Sequence, residues 1–243
     1  MNAAKEWFVK SGQYKHSVAV MKGLSLIVLC LGLAFSARAI DRAELDSRLR
    51  TLTSKFEILE AKPDKRIPPQ ILRRAQGIIL LDCTKGGLVF GYQGGHGAAM
   101  VKDPRTEQWS TPAFFKLSEA SFGLQIGGQQ SFVVILLMNS NVTQQLTEPM
   151  FKFGGEASGT AGNASGGTEG TVSNVEPLEM IYTDTAGLYG GAALKGASLA
   201  PDPDANLAYY GEFLTTKEIL FEHKASPTPT ATDLTHKISA GAK

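Results

Sequence analysis

The sequence predicts an α+β domain: a mostly antiparallel, curved or barrel-like β core with helices at its N-terminal end. Three observations predict it. Residues 132–138 form an unbroken apolar run, FVVILLM, without period-2 alternation, as expected of a strand covered on both faces. Short apolar segments separated by Gly-rich turns recur between residues 77 and 195, which is strand-and-turn punctuation rather than helical periodicity. Leu45, Leu49, Leu52, Phe56 and Leu59 follow helical spacing and give residues 41–61 one apolar stripe with charged flanks.

Taken in order, the helix over 41–61 opens on Asp41, a capping residue, with Glu44 three positions on as in a capping box. Its stripe fits a helix packed on its own domain; an amphipathic element on a membrane surface is the alternative, and its near-balanced charges argue against that. Pro68-Pro69 then breaks the chain, and Pro69 suits the first turn of a short helix, QILRRAQ, through Gln76. Residues 77–83 read as a strand, residues 84–87 as a hairpin turn, and residues 88–92 as the return. Gly94-Gly95-His96-Gly97 reads as a second turn before a strand over 98–102. Asp103-Pro104-Arg105 turns again, and residues 109–115 are extended, with Pro112 suited to an edge or bulge. After the central run, Asn141 can cap a short helix that Pro149 closes. Residues 151–170 begin as a strand and pass into a small-residue tract, either a closely approached strand pair or a loop. Residues 180–184 and 188–195 read as further strands. Residues 206–211 lead to a last short helix near 215–222.

The two ends differ from this core. Residues 1–39 read as a secretory signal: Lys10, Lys15 and Lys22, an apolar stretch from Leu24 to Ala37, and the small-x-small site Ala37-Arg38-Ala39. An uncleaved anchor and a lipoprotein acylated at Cys30 are the alternatives. Cleavage after Ala39 makes the protein periplasmic or secreted. It removes five basic residues and Glu6 from the 24 basic and 23 acidic residues of the chain, leaving 19 and 22 and a net charge of −3. One cysteine, Cys83, then remains, so no intramolecular disulfide forms. Residues 223–243 are polar, Pro- and Thr-bearing and without a core-forming pattern, and are expected to be a disordered tail, leaving 40–222 as the domain.

A formal charge of +1 over 243 residues excludes a bulk nucleic-acid binder. No dinucleotide fingerprint, P-loop or nucleophile elbow is present, and His96, His223 and His236 are scattered, so no catalytic residue, metal site or cofactor is expected. The concentrated charge is a basic knot, Lys62, Lys65, Arg66, Arg73 and Arg74, opposed only by Asp64. Five cations in thirteen residues beside an amphipathic helix are suited to phosphate headgroups, each contributing about 1 kcal/mol near an anionic membrane surface. The competing reading is a solvated charged face.

An ordered series of motifs adds to this. Asp64-Lys-Arg-Ile-Pro-Pro-Gln-Ile-Leu72 runs into Ala75-Gln-Gly-Ile-Ile-Leu80, then Lys85-Gly-Gly-Leu-Val-Phe-Gly91 and Trp109-Ser-Thr-Pro112. Phe122-Gly-Leu-Gln-Ile-Gly-Gly128, Phe153-Gly-Gly155, Gly187-Leu-Tyr-Gly-Gly-Ala-Ala-Leu-Lys-Gly196 and residues 206–211 follow. In this order the series resembles the SYLF-domain family of lipid-binding proteins over residues 60–211. The resemblance implies binding of phosphoinositides or other anionic phospholipids without catalysis, and, in eukaryotic members, actin regulation. The chain departs from the family at Ala161-Gly-Asn-Ala-Ser-Gly-Gly167, where a Gly-Pro-x-Gly step is common. The leader points to a bacterial exported member, for which neither actin nor phosphoinositides would be the everyday partner. The expected function is therefore headgroup binding at a membrane surface through the five cations. A protein-interaction or envelope-structural module is the alternative, with a protein as partner.

Overall fold

A computed structural model describes residues 40–86, 90–122, 129–152, 160–162, 178–184 and 198–243. The compact unit they belong to begins at Ile40. Its helices are α1 (Arg42–Glu60), α2 (Pro69–Arg74), α3 (Ser140–Gln144), α4 (Pro203–Tyr210), α5 (Thr216–Leu220) and α6 (Pro229–Gly241). Its strands are β1 (Gly77–Gly86), β2 (Phe90–Val101), β3 (Ala113–Phe122), β4 (Gln129–Leu137), β5 (Phe151–Lys152), β6 (Thr160–Gly162), β7 (Glu179–Thr183) and β8 (Ser198–Pro201).

The strands form one sheet in the order β5-β8-β3-β2-β1-β4-β7-β6. Every ladder is antiparallel except β6 on β7. The sheet must curl. The chain passes from Lys152 on one edge to Thr160 on the other in eight Cα steps, a reach of about 29 Å at most. Seven interstrand spacings laid flat would separate the edges by about 34 Å. The sheet is curved but not closed, since among the described residues no ladder joins β5 to β6.

The apolar run at 132–137 is covered on both faces, as its lack of alternation requires. Phe132, Val134 and Leu136 enter one core with Ile78, Leu80, Ala98, Met100 and Phe114. Val133, Ile135 and Leu137 enter the other with Ile79, Leu81, Ala99, Phe115 and Leu199. The first core is roofed by α1, α4 and α6. The stripe of Leu45, Leu49, Leu52, Phe56 and Leu59 is wholly buried there, so it belongs to the domain interior. The second core is covered by α3, the 3-10 turn after it, and α5, so helices lie on both faces rather than at the N-terminal end alone. Asp41 caps α1 by accepting the Glu44 amide at 2.8 Å, while the Glu44 carboxylate turns to Arg48 at 2.6 Å instead of completing a box.

Four expectations need correction. Residues 94–97 are not a turn: β2 runs unbroken through them, paired with β1 from Val101 to Tyr92. Their glycines serve close approach, because a Cβ at Gly97 would collide with the Leu80 carbonyl oxygen and one at Gly95 would sit 2.6 Å from that of Asp82. His96 is accordingly a strand residue opposite Asp82. Asn139, not Asn141, caps α3, its side chain accepting the Val142 amide at 3.0 Å. Residues 203–210 are helical, with Pro203 in the first turn and Gly211 closing the helix at φ 76°.

The largest correction is the C-terminal tail. Residues 229–241 form α6, capped by Thr228 and begun by Pro229. Ala231, Leu234 and Ile238, spaced as one helical stripe, are buried, and Leu234 and Ile238 join the first core. Lys237 pairs with Glu57 of α1, and the Thr228 hydroxyl bonds that of Tyr209. Prolines that composition assigned to a loop are here the helix start signal. The strand expected over 188–195 lies outside the described residues, as does most of the small-residue tract.

Candidate functional site

The structure ties two of the five cations of the basic knot to distant parts of the chain. Lys65 is half-buried and its ammonium donates to the Asp184 carbonyl at 2.6 Å, tying the α1–α2 connection to the end of β7. Asp184 in turn accepts the Phe132 amide at 2.7 Å. Arg73, on the last turn of α2, donates through Nε and Nη2 to the Ala242 carbonyl at 3.2 and 3.0 Å, capping the C-terminal end of α6. Lys62 is half-buried and Arg66 exposed, on the turn that follows α1. There Glu60 accepts the Ile67 amide at 3.0 Å, and burial holds its carboxyl above the usual range. Arg74 is exposed and turns toward a cleft. Two of the five therefore hold backbone carbonyls from distant parts of the chain.

The cleft has a volume of about 760 Å³ and lies at the end of the sheet where β1 and β4 meet the β2–β3 turn. Arg74, Lys102, Glu107, Ser140, Thr143 and Phe221 stand on its walls. Lys102 is the half-buried cation among them. Its ammonium donates to the Arg73 carbonyl at 2.7 Å and stands 4.9 Å from the centroid of the Trp109 ring, within cation–π range. Burial lowers its pKa, and Glu107 pulls the other way. Asp103, also on the wall, is engaged: its Oδ1 accepts the Arg105 amide at 2.7 Å and the Thr106 amide at 3.3 Å. Its Oδ2 faces His223 Nε2 at 3.5 Å. The Arg105 amide bond, with the Thr106 amide helping, holds the Asp103 carboxyl below its usual range. Among the described residues, Glu107 at φ 58° and His223 at φ 53° are the non-glycine residues with left-handed backbone. Glu107 lines this cleft, and His223 contacts Asp103 on its wall. Such backbone costs about 1–3 kcal/mol at each residue and gathers at functional sites.

Two further ionisable groups lie under the helices. Asp82 accepts from Lys55 of α1 at 2.7 Å through Oδ2, while its buried Oδ1 has no hydrogen-bond partner among the described residues. His96 opposite it is held below its usual pKa by burial, with Arg48 adding to the effect. Glu179 is 3% exposed, its Oε2 has no hydrogen-bond partner among the described residues, and desolvation raises its pKa to about 7. Among the described residues no group of three or more His, Cys, Asp and Glu is placed to hold a metal. Among them no helix is long and apolar enough to cross a membrane.

Basic residues were found from their density along the chain. Lys102 was not, because its neighbours come from four separated segments and no local motif marks it. The fold and site define a class: a curved, open β-sheet clad by helices on both faces, carrying a cleft with one desolvated cation. Comparison with known proteins then gives the family. A family model described as "Las17-binding protein actin regulator" (Ysc84) matches residues 118–241, about half of the chain. The chain belongs to this family, the one the SYLF resemblance pointed to. An SH3 domain-containing YSC84-like protein 1 of Xenopus laevis is 29% identical over 170 residues, covering 68% of this chain and 50% of that protein. An SH3 domain-containing protein of Schizosaccharomyces pombe is 30% identical over 167 residues, covering 66% and 38%. Protein YSC84 of Saccharomyces cerevisiae is 29% identical over 179 residues, covering 71% and 37%. The chain spans half or less of the length of these curated relatives. No solved structure matches it.

Proposed function

We propose that this chain is a non-enzymatic docking module whose partner is a protein of the actin-regulator type. Its family is described as Las17-binding, and a relative 27% identical over 164 residues is named LAS seventeen-binding protein 3. The observation that carries the reading is Phe213. It is 73% exposed, the most exposed large apolar side chain among the described residues, and it follows α4, on which Leu207 is 44% exposed. Both lie within the residues that match the family model. An exposed aromatic anchor with an aliphatic residue on the same segment is the kind of group that dominates protein–protein affinity. The test is binding of the purified chain to Las17. Binding that Phe213→Asp weakens at least tenfold, with the thermal midpoint unchanged, supports the reading. Absence of binding, or an affinity indifferent to Phe213→Asp, overturns it.

A second reading, binding of anionic phospholipid headgroups, rests on the exposure of Arg66 and Arg74. Lys65 and Arg73 are poor choices for its test, because each holds a backbone carbonyl and its loss would disturb the fold. We expect vesicles containing phosphatidylglycerol to pellet the chain, and Lys62→Glu with Arg66→Glu to reduce pelleting severalfold, more so at low salt. Equal pelleting with neutral vesicles would exclude the headgroup reading and leave protein docking standing.

A further inference from the structure

We propose that the cleft walled by Lys102, Thr143 and Phe221 is a binding site for a small organic anion, a carboxylate or a phosphate monoester carrying an apolar body. The inference does not rest on the docking reading, since Phe213 does not line the cleft.

Charge accounting on the walls leads there. The Arg73 guanidinium is committed to the Ala242 carbonyl. The Asp103 carboxylate is committed to the amides of its own turn and to His223. Glu107 is exposed at the rim, where water weakens its pull on Lys102 without abolishing it. Lys102 differs. It is half-buried, and an ammonium has three N–H donors. One of these goes to the Arg73 carbonyl, and the Trp109 ring lies close by. A half-buried ammonium with N–H donors to spare gains from an anion that brings its own charge into the cleft.

The remaining walls set what is attached to that anion. Val101 is 6% exposed, and Phe221 packs on the second core while lining the cleft. They offer an apolar surface of a few carbons. Ser140 and Gln144 are exposed along α3 and offer neutral hydrogen-bonding groups. A volume of about 760 Å³ lies in the range of small-molecule sites, roughly 300–1,000 Å³. Glu107, with its left-handed backbone, lies on the β2–β3 turn that forms one of the walls.

The anion could reach the cleft free in solution or as part of a lipid headgroup, and the experiment separates these. In full-length chain carrying Trp7→Phe, Trp109 is the one tryptophan, and it sits beside Lys102. Its emission is followed while hexanoate, inorganic phosphate or vesicles containing phosphatidylglycerol are added. Hexanoate is expected to give a saturable change. Lys102→Met keeps the stem over the ring and removes the charge, and is expected to weaken hexanoate at least tenfold. Phe221→Ala is expected to weaken hexanoate severalfold and leave phosphate unchanged. Should Lys102→Met fail to fold, Ser140→Phe at an exposed lining position fills the cleft and must abolish the response. A response to vesicles competed away by hexanoate supports the same site receiving a headgroup. A flat hexanoate titration, a response confined to vesicles, or Lys102→Met titrating like its parent overturns the proposal.

Discussion

Glu179 carries the clearest energetic consequence of any single side chain. It enters the second core between Leu137 on β4 and Thr160 on β6, and among the described residues no cation pairs with it. Desolvation raises its pKa from the usual 4.5 to about 7. Below pH 4.5 the carboxyl is protonated in both folded and unfolded chains, and its contribution is constant. Between pH 4.5 and 7 the unfolded chain releases the proton while the folded chain retains it, so stability falls as pH rises. The loss is about 3 kcal/mol and levels off above pH 7. Glu179→Gln is expected to remove that slope and to be the more stable protein at pH 7.5. Urea midpoints across pH 4–8 check this, and a parent whose midpoint is flat over that range would contradict it. Nothing in the sequence around Glu179 marks the residue as buried: a single acid before MIYTD reads as a strand end facing water. Its burial comes from β6 pairing on the outer side of β7, a contact no local pattern encodes.

At the scale of elements, legibility followed the strength of the local pattern. The α1 stripe spans five large apolar side chains and was plain from spacing alone. The β4 run, buried on both faces, was equally plain. α6 carries the same kind of stripe, but it is made of Ala231, Leu234 and Ile238 amid Thr, Ser and Lys, and its Pro229, two residues after Pro227, resembles the proline of a linker. The helix is stable because α1 covers it and because Arg73 and Lys237 hold its C-terminal half. Leu234→Ala is expected to cost about 2–4 kcal/mol, as for other buried leucines, and to speed amide exchange along 229–241. Thermal melts and hydrogen exchange would show it, whereas exchange at the unfolded rate in the parent would mean that α6 does not form. The glycines of β2 misled in the opposite direction. Gly is the residue of turns, but at Gly95 and Gly97 it is demanded by the closeness of the β1 backbone, which only the paired strands reveal.

For the whole molecule, the class of fold was readable and the topology was not. Alternation and turn chemistry identify strands, but the order β5-β8-β3-β2-β1-β4-β7-β6 depends on which long-range ladders form. Those ladders place two sequence-adjacent strands, β5 and β6, on opposite edges of one curled sheet. The same long-range assembly explains the fate of the basic knot. Its density along the chain suggested one anionic contact face, yet folding turns Lys65 toward β7, Arg73 toward α6 and Arg74 toward the cleft. Cations that looked like a site are in part the ties between layers. Among the described residues the most exposed large apolar side chain is Phe213, on the family-matching half of the chain. The most direct test of the docking reading is therefore the ratio of Las17 dissociation constants for Phe213→Asp and the parent chain, measured by titration calorimetry. The account predicts a ratio of ten or more, about 1.4 kcal/mol or greater, with equal thermal midpoints. A ratio near one, or no binding by the parent, would contradict it.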